Sequence, residues 1–379
     1  MVSSGQQHLP EPEEISAERE ILLQRRGRHY AFPALGELPG GRRALLFHDA
    51  PSREPETLFD PESRLAIVTA TPQGHFSPSH TLPVPRFSFS GYAPSIVPLH
   101  ENHLLVSDNS WHVYHWMGEP NVRIIEKHEW VVLLRGAHTI EIDASGDALR
   151  FGKPRRVASL NYPVATCYGP PILENANSIL LAVDYNIEAH QLHDRPWETV
   201  LMKSPDLGET WSMAGRIYFE PDMKDLPKLH SPCAVKSPAG DLICSLESFT
   251  SAPKIFISRS ADGGASWSPP APAGLTGYYH FLLQLADGRF LLSLTPAAPN
   301  PASAADAFPH HDDLDLFFSE DGGSSWNNHK RILVERKKKS PAGCIAPRPS
   351  QLPGGDLYFT FHSFTVKDTR ALCGVRVPL

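Results

Sequence analysis

A short motif that recurs three times constrains the fold of this chain more than any other feature of its sequence. It reads S-x-D-x-G-x-[ST]-W, and its copies occupy residues 204–211, 260–267 and 319–326. The three Asp residues are 56 and 59 positions apart, and each copy follows a run of β-forming residues. This period is typical of a chain built from repeated β units. Long helices are excluded separately, because the chain has 37 Pro residues and Pro disrupts helix interiors.

Each residue type of the motif suits a tight hairpin corner. Asp accepts hydrogen bonds from backbone N–H groups in turns, Gly adopts conformations that other residues avoid, and Ser or Thr adds a further local bond. Trp can fold beneath the hairpin and bury its large ring. We therefore assign a structural rather than a catalytic role to Asp206, Gly208, Trp211, Asp262, Gly264, Trp267, Asp321, Gly323 and Trp326.

A second pattern occurs six times and predicts a strand, a turn and a second strand. Its copies usually begin with an aromatic residue or His and a Pro, cross a polar or Gly-containing turn, and enter an apolar run. They occupy residues 30–48, 92–108, 168–184, 230–247, 279–295 and 348–362. We interpret them as the two inner strands of six repeated units.

The triplicated motif resembles the Asp box of the sialidase-like (BNR-repeat) β-propellers. This resemblance implies an all-β fold, a six-bladed β-propeller with Asp-box hairpins in blades three, four and five. Residues 371–377 are then expected to form the third strand of blade six and residues 20–25 its fourth, which would close the ring and remove a sheet edge. The propeller is expected to span residues 19–379 as a single domain, and residues 1–18 to form a mobile acidic tail.

The resemblance does not extend to the catalytic residues of sialidases. A sialidase would need an arginine cluster for the sugar carboxylate, because arginine binds carboxylates bidentately, together with a Tyr–Glu nucleophile pair and an Asp acid. The segment that matches the family's first arginine reads Tyr30-Ala31-Phe32-Pro33. Ser231 stands where the family has Glu, and Arg348 where the family has Tyr. We therefore carry over the architecture only and predict that this chain is not a true sialidase.

Candidate site residues follow from where the inner strands of a propeller start and end. The first strand starts and the second strand ends at the same rim of the central channel, where enclosed β folds bind ligands. Because His is suited to proton transfer near neutral pH, we name His230, His280 and Glu247 as candidate catalytic residues. The candidate substrate-binding residues are Tyr30, His48, Tyr92, Asp108, Tyr168, Asp184, Tyr279, Arg348 and His362.

The sequence predicts no cofactor and no metal. Five Cys residues are scattered without a CxxC pair, which argues against a disulfide framework and against a zinc site. Two His-x-x-His pairs, His112/His115 and His190/His193, lack a third ligand such as the Glu of HExxH. We expect solvated loop histidines at both places.

Charge and hydropathy limit the partners and the compartment. The net charge of −7 argues against a nucleic-acid partner. No apolar run approaches the ~18 residues that a membrane span needs, and the first residues lack the pattern of a signal peptide. We expect a cytoplasmic protein with a small-molecule substrate and neither a nucleic-acid nor a membrane partner. The sequence makes no prediction of its oligomeric state.

Three functions remain open. The first is an intracellular enzyme that acts on a small, not strongly anionic molecule in the axial funnel. It would be a cyclase or isomerase of specialised metabolism that positions its substrate for cycloaddition or proton transfer. The second is a glycan-active enzyme. It would be a glycoside hydrolase with two carboxylates drawn from Asp49, Asp108, Asp184 and Glu247, or a polysaccharide lyase with a Tyr or His base and Arg348 on a uronate. The third is a ligand-binding propeller without catalysis.

Overall fold

The computed structural model consists almost entirely of β-strands. It describes residues 11–38, 41–51, 62–71, 76–83, 88–90, 93–100, 102–115, 131–146, 148–157, 166–185, 197–248, 250, 252–296, 313–335, 342–364 and 371–379. Within these ranges the helical structure is limited to 3-10 turns, one at Glu220–Asp222 and one that includes Gly41, so the predicted all-β class is confirmed. The same ranges contain no helix with the length and hydropathy needed to cross a membrane.

The first half of the chain forms two short strands and then three sheets, which we call repeats 1 to 3. The short strands are β1 (Glu13–Glu18) and β2 (Glu20–Leu23). Repeat 1 contains β3 (Arg28–Leu38), β4 (Arg42–Pro51), β5 (Arg64–Ala70) and β6 (His80–Thr81). Repeat 2 contains β7 (Ser88–Ser90), β8 (Ser95–His100), β9 (His103–His115), β10 (Val131–Asp143), β11 (Arg150–Phe151) and β12 (Arg155–Arg156). Repeat 3 contains β13 (Thr166–Cys167), β14 (Ile172–Leu173), β15 (Ile179–Tyr185), β16 (Glu198–Ser204) and β17 (Ser212–Phe219).

Repeats 4 to 6 follow the same antiparallel order. Repeat 4 contains β18 (Leu229–Lys236), β19 (Leu242–Ser248), β20 (Lys254–Ser260) and the first part of β21 (Ala271–Gln284). Repeat 5 contains the last part of β21, β22 (Phe290–Pro296), β23 (Leu314–Ser319) and β24 (Asn328–Glu335). Repeat 6 contains β25 (Ala342–Gln351), β26 (Leu357–Phe364) and β27 (Ala371–Val377). β21 pairs with β20 and then with β22, which joins repeats 4 and 5 into one sheet.

The N-terminal strands add to the two last repeats. β2 pairs antiparallel with β27, so the predicted pairing of residues 20–25 with residues 371–377 is found for residues 20–23. β1 pairs in parallel with β24, placing Glu13 beside Lys330 and Glu14 beside Arg331. The sequence predicted a tail up to residue 18, and β1 is therefore a correction for residues 13–18. The segment is held by this backbone pairing and by the packing of Ile15 and Ala17 on the core between repeats 5 and 6, and Lys330 lies 3.3 Å from the carboxylate of Glu13.

A strained β-bulge opens the inner strand of most repeats. Phe32, Ala93, Ser231, Tyr279 and Ala346 all have φ between 50° and 58°, a region that costs L-residues about 1–2 kcal/mol. In the described strands of repeats 1, 4, 5 and 6 the residue lies at an interruption of the pairing register. A bulge inserts one residue and turns the following side chains to the other face. The bulges therefore decide on which face of the sheet the side chains at the start of each of these strands lie.

The three predicted Asp-box corners are present. In the second copy, Asp262 accepts hydrogen bonds from Ser260 Oγ at 2.7 Å, from the Ser266 N–H at 2.9 Å and from Ser266 Oγ at 2.6 Å. Asp206 and Asp321 accept the equivalent bonds. The glycine of each corner lies against the preceding repeat, and a Cβ on Gly264 would overlap Leu201 of repeat 3. The motif is thus a joint between neighbouring repeats.

The hydrophobic core is divided into clusters between neighbouring repeats. One cluster combines Leu46 and Ile67 of repeat 1 with Val106 and Ile140 of repeat 2, and others join repeats 2 and 3, 3 and 4, 4 and 5, and 5 and 6. A further cluster packs Leu372 of repeat 6 against Tyr30, Leu45 and Phe47 of repeat 1. All five Cys residues are buried and free.

Candidate functional site

The candidate catalytic residues meet where the inner strands of repeats 4 and 5 begin. His230 on β18 is the register partner of Glu247 on β19, so these two side chains share one face of the sheet. Glu247 Oε2 lies 3.2 Å from His280 Nδ1 on β21, and Glu247 Oε1 lies 4.0 Å from His230 Nε2. The structure therefore brings all three predicted catalytic residues together, with the carboxylate between two imidazoles.

These three residues differ in how far they reach solvent. The side chains of His230 and Glu247 are 16% and 12% exposed, whereas that of His280 is completely buried. His280 stacks on Tyr168 with ring centroids 5.5 Å apart, and burial raises the pKa of Tyr168 well above its usual range. His230 and Glu247 are thus the two candidate catalytic groups that a ligand could contact. His280 contacts Glu247 from the buried side of the carboxylate.

A hydrogen-bonded chain holds His230 from the side of repeat 3. His230 Nδ1 lies 2.7 Å from Ser231 Oγ, and the Ser231 N–H donates to Asp184 Oδ2 at 2.7 Å. Thr199 Oγ1 donates to the other oxygen of Asp184 at 2.6 Å. Asp184 is buried and satisfied, so it fixes the strained Ser231 backbone. Both of its oxygens accept hydrogen bonds from the protein, and its predicted binding of substrate stays a prediction.

Arg348 is a buried structural cation. Its guanidinium donates to Ser95 Oγ at 3.0 Å and to the Tyr168 carbonyl oxygen at 3.1 and 3.2 Å. The guanidinium carbon also lies 4.9 Å from the ring centroid of Phe281, and burial lowers the pKa of Arg348. Its contacts tie repeats 2, 3, 5 and 6 together. Both terminal nitrogens of the guanidinium are therefore already bound by the protein, and the buried Nε has no hydrogen-bond partner among the described residues.

Repeat 2 contributes two buried polar residues beside repeat 3. The Asn109 amide donates to the Cys167 carbonyl oxygen at 2.6 Å and accepts from the Cys167 N–H at 2.8 Å. These two bonds connect repeats 2 and 3. Asp108 is fully buried, and within the described residues its carboxylate oxygens have no side-chain partner. Burial raises the pKa of Asp108 well above the ordinary value, opposed by a weaker backbone interaction with Asn109. Asp108 is thus a carboxyl group that favours its neutral form.

Repeats 1 and 6 meet beside the same end of the inner strands. The Phe32 N–H donates to His362 Nδ1 at 3.2 Å, and the two rings are in edge contact. Tyr279 packs against a small cluster of Ala31, Phe32, Ile345 and Ala346. His48 and His362 are both buried. This side of the site is therefore lined by apolar groups and buried imidazoles.

Two inner strands start elsewhere than the sequence predicted. In repeat 1 the register partner of His48 is Ala31, so Tyr30 lies one position too early and its ring packs on Phe47 in the core. In repeat 6 the bulge is at Ala346, two residues before Arg348. A shift of one residue moves a side chain to the other face. Tyr30 is therefore a core residue and not a ligand of the rim.

Several predicted residues lie outside the described part of the chain. These are Tyr92, His190 and His193, together with the side chains of His112 and His115. Sequence reasoning also missed Ser231, Thr199 and Phe32. For Ser231 and Phe32 a signal was present, because each precedes a Pro at the start of an inner strand. The strained backbone at those positions appears only in three dimensions.

Solved structures share this architecture. A protein of unknown function from Dyadobacter fermentans superposes with a TM-score of 0.73 at 17% identity, covering 96% of this chain and 98% of that one. Trypanosoma rangeli sialidase in complex with sialic acid gives a TM-score of 0.64 at 13% identity, and the match covers 96% of this chain but 59% of the sialidase chain. Penicillium chrysogenum α-L-arabinanase complexed with arabinobiose gives 0.58 at 11% identity, covering 95% and 98%. These similarities show a shared sialidase-like propeller fold.

The sequence itself also carries a family signature. No curated protein matches this chain. A family profile described as a BNR repeat-like domain matches residues 113–345, which is more than half of the 379 residues and includes all three Asp boxes. Together with the Asp-box geometry and the shared fold, this match shows that the chain belongs to the BNR repeat-like domain family.

Proposed function

We propose that this protein is a glycan-active enzyme in which Glu247 performs acid/base chemistry at the mouth of a six-bladed β-propeller. The observation that carries the proposal is the solvent-accessible Glu247 carboxylate held between His230 and His280. Glycan-processing enzymes of several classes depend on such a positioned carboxyl group to donate or accept a proton. Solved proteins of the same fold, described as a sialidase and an arabinanase, support a saccharide as substrate.

Six blades arranged in a closed ring form the second part of the proposal. Each of the six apolar clusters packs one repeat on the next, and one of them joins repeat 6 to repeat 1. The pairing of β2 with β27 supplies a fourth strand to repeat 6. In such a ring the inner strands of all repeats would converge on one axis, which would place Glu247 and Tyr279 at one mouth.

The contacts of the charged residues favour a neutral saccharide. Arg348 is buried and already bound to Ser95 and Tyr168, and Arg28 is held by Asp49 at 2.6 Å. A uronate or sialate would need a free arginine fork to pair with its carboxylate. For the same reason the lyase mechanism that uses Arg348 is disfavoured.

Glu247 and His230 have different parts in the proposed reaction. Their 4.0 Å separation is shorter than the roughly 5 Å or more that separates the two catalytic carboxyl groups of glycosidases. His230 is therefore not the group that acts from the opposite face of the sugar. Glu247 donates a proton to the glycosidic oxygen as the glycosidic C–O bond breaks, and a water molecule adds to the anomeric carbon and releases its proton to solvent. His230 then passes a proton from solvent to Glu247, which restores the acid. His280 fixes the carboxylate from behind, and the reaction requires no cofactor.

A ligand panel followed by a substitution tests this proposal. Neutral oligosaccharides, uronate oligosaccharides and apolar polycyclic molecules are screened by thermal shift, and the products of each hit are separated by chromatography. We expect a neutral oligosaccharide to bind and to be converted, and Glu247→Gln to keep binding while turnover falls about 100-fold or more. Glu209→Gln is the matched control, because Glu209 is 61% exposed in an Asp-box turn. Absence of any saccharide binding, or undiminished turnover by Glu247→Gln, would contradict the proposal.

A second candidate function uses the same residues on a different substrate. The apolar contact of Tyr279 with Phe32 and Ala346 favours a cyclase or isomerase that acts on an apolar molecule. In that case the polycyclic members of the panel would bind in preference to the sugars. Binding of either class with no turnover at all would favour a ligand-binding propeller without catalysis. Turnover that Glu247→Gln leaves unchanged would assign catalysis to other residues.

A further inference from the structure

We propose that His100, His103 and Glu141 form a binding site for a divalent transition-metal ion such as Zn²⁺. Each residue offers one ligand atom, and these atoms all lie within 4.8 Å of one another. The cluster lies at the turn between β8 and β9, at the opposite end of these strands from Ser95, the partner of Arg348. The site is therefore separate from Glu247 and independent of the proposed reaction.

The backbone brings the three side chains to one face of repeat 2. His100 and His103 are register partners across the hairpin turn, and their rings lie with centroids 4.2 Å apart. His103 is also the register partner of Asp143 on β10, and Glu141 is two residues before Asp143. Residues two apart on a strand share a face. The Ala144 N–H donates to the Asn102 carbonyl oxygen at 2.8 Å, which holds the turn against the end of β10.

The distances suit two ligands of one ion. His103 Nδ1 and Glu141 Oε1 are 3.0 Å apart. Neighbouring ligands in a tetrahedral zinc site, with bonds of about 2.0–2.2 Å, are separated by about 3.3 Å. His100 is exposed and lies at the turn, so rotation of its side chain can bring a ring nitrogen within bonding distance of an ion held by His103 and Glu141. Three protein ligands would leave the fourth position to water.

Asp143 lies where a carboxylate often orients a ligating histidine, although its present separation from His103 is longer than a hydrogen bond. Its Oδ1 lies 4.0 Å from His103 Nε2, the ring nitrogen that faces away from Glu141. Asp143 itself is held by the Ser145 N–H at 2.9 Å and by Arg150 at 2.8 Å. A carboxylate behind the ligating imidazole fixes its orientation and raises its basicity. The chemistry of two imidazoles and one carboxylate selects Zn²⁺ and similar ions over Mg²⁺ or Ca²⁺.

Cobalt substitution provides a direct test on the full chain. The protein is treated with chelator, and Co²⁺ is added while the visible absorption of the ion is recorded, followed by displacement with Zn²⁺. We expect a tetrahedral Co²⁺ spectrum that saturates and is removed by Zn²⁺. His103→Ala should abolish this spectrum, and His100→Ala, an exposed position that leaves the fold intact, should abolish it as well. Asp143→Asn should weaken binding by about 10–100-fold.

The control is His80→Ala, which removes a partly exposed histidine outside the cluster. This variant should bind Co²⁺ as the unaltered protein does, and all variants are compared by circular dichroism. A spectrum that persists in both His100→Ala and His103→Ala would overturn the proposal, and so would the absence of any spectrum in the unaltered protein. Loss of one bound ion in both variants, with His80→Ala unaffected, would support it.

Discussion

Glu247 Oε2 and His280 Nδ1 lie 3.2 Å apart, with the carboxylate partly open to solvent and the imidazole completely buried. The two residues come from neighbouring repeats, so their contact joins β19 to β21. The contact with His280 orients this carboxylate, and its other oxygen lies 4.0 Å from His230 Nε2. This arrangement supports the proposed positioning role of His280 and the proposed reacting role of Glu247.

Replacing His280 by Asn should lower kcat much more than it changes KM. The variant leaves Glu247 in place but removes the ring that stacks on Tyr168 and fixes the carboxylate. We expect kcat to fall about 10–100-fold and KM to stay within about twofold. Steady-state kinetics on the substrate found in the ligand panel measure both constants. A rise in KM with unchanged kcat, and therefore an equal fall in kcat/KM, would assign His280 to substrate binding instead.

Substitutions at Ser231 should separate backbone strain from the hydroxyl contact. Ser231 has φ of 56°, which Gly adopts freely and Ala does not. We expect Ser231→Gly to be more stable than Ser231→Ala by about 1 kcal/mol, as measured by urea denaturation. Both variants should lose turnover, because both remove the Oγ that lies 2.7 Å from His230 Nδ1. If Ser231→Ala is the more stable of the two, the strain assignment is wrong.

Gly264→Ala should destabilise the joint between repeats 3 and 4. Its φ of +97° disfavours a side chain, and the added Cβ would overlap buried Leu201. Backbone strain and overpacking together predict a loss of about 2–4 kcal/mol. Gly263→Ala is the matched control, since Gly263 has φ of +72° and open space around it. Its loss should be about 1 kcal/mol, and equal losses in both variants would argue against the steric contact.

Asp108→Asn should stabilise the protein increasingly as pH rises. Burial raises the folded-state pKa of Asp108, so the folded protein holds this proton at pH values where the unfolded chain has released it. Stability of the unaltered protein then falls as pH rises above the unfolded pKa of about 4, and the Asn variant avoids this loss. Urea denaturation between pH 4 and pH 8 measures the difference, and a constant difference would contradict the pKa shift.

Asp321→Asn should show the opposite dependence. Burial of Asp321 raises its pKa, but the hydrogen bonds from Ser325 and Ser319 outweigh this and lower it to about 2. A depressed carboxyl pKa contributes stability that is present above about pH 4 and is lost as pH falls toward 2. The variant should therefore be less stable than the unaltered protein at pH 7, with the two converging near pH 2. Convergence at neutral pH instead would show that the Asp321 bonds add no stability.

The sequence predicted the local parts of this structure well. The Asp-box corners at Asp206, Asp262 and Asp321 depend on bonds between residues two to four positions apart, and such contacts follow directly from the motif. The pairing of His230 with Glu247 followed from the hairpin pattern for a similar reason. The approach of His280 from the next repeat required the packing of two hairpins.

Other features were decided by the tertiary structure alone. Tyr30 was predicted at the rim but packs in the core, because the bulge at Phe32 shifts the register by one residue and reverses the face. Arg348 was predicted to bind substrate, and the convergence of Ser95 and Tyr168 makes it a buried structural cation. The strand β1 was expected to be a tail, and its charge complementarity with β24 is visible only when both are in place.

The sequence by itself determined the repeat, the hairpins and the Asp-box corners, because short-range hydrogen bonds and alternating hydrophobicity depend on neighbours along the chain. The tertiary structure decided which polar side chains face solvent, which are buried and which meet. Those properties arise where repeats distant in sequence pack together, as they do for Asn109 beside Cys167 of repeat 3 and for His280 beside Glu247. Burial and long-range contact set the chemistry of these groups, and neither is encoded in a local pattern.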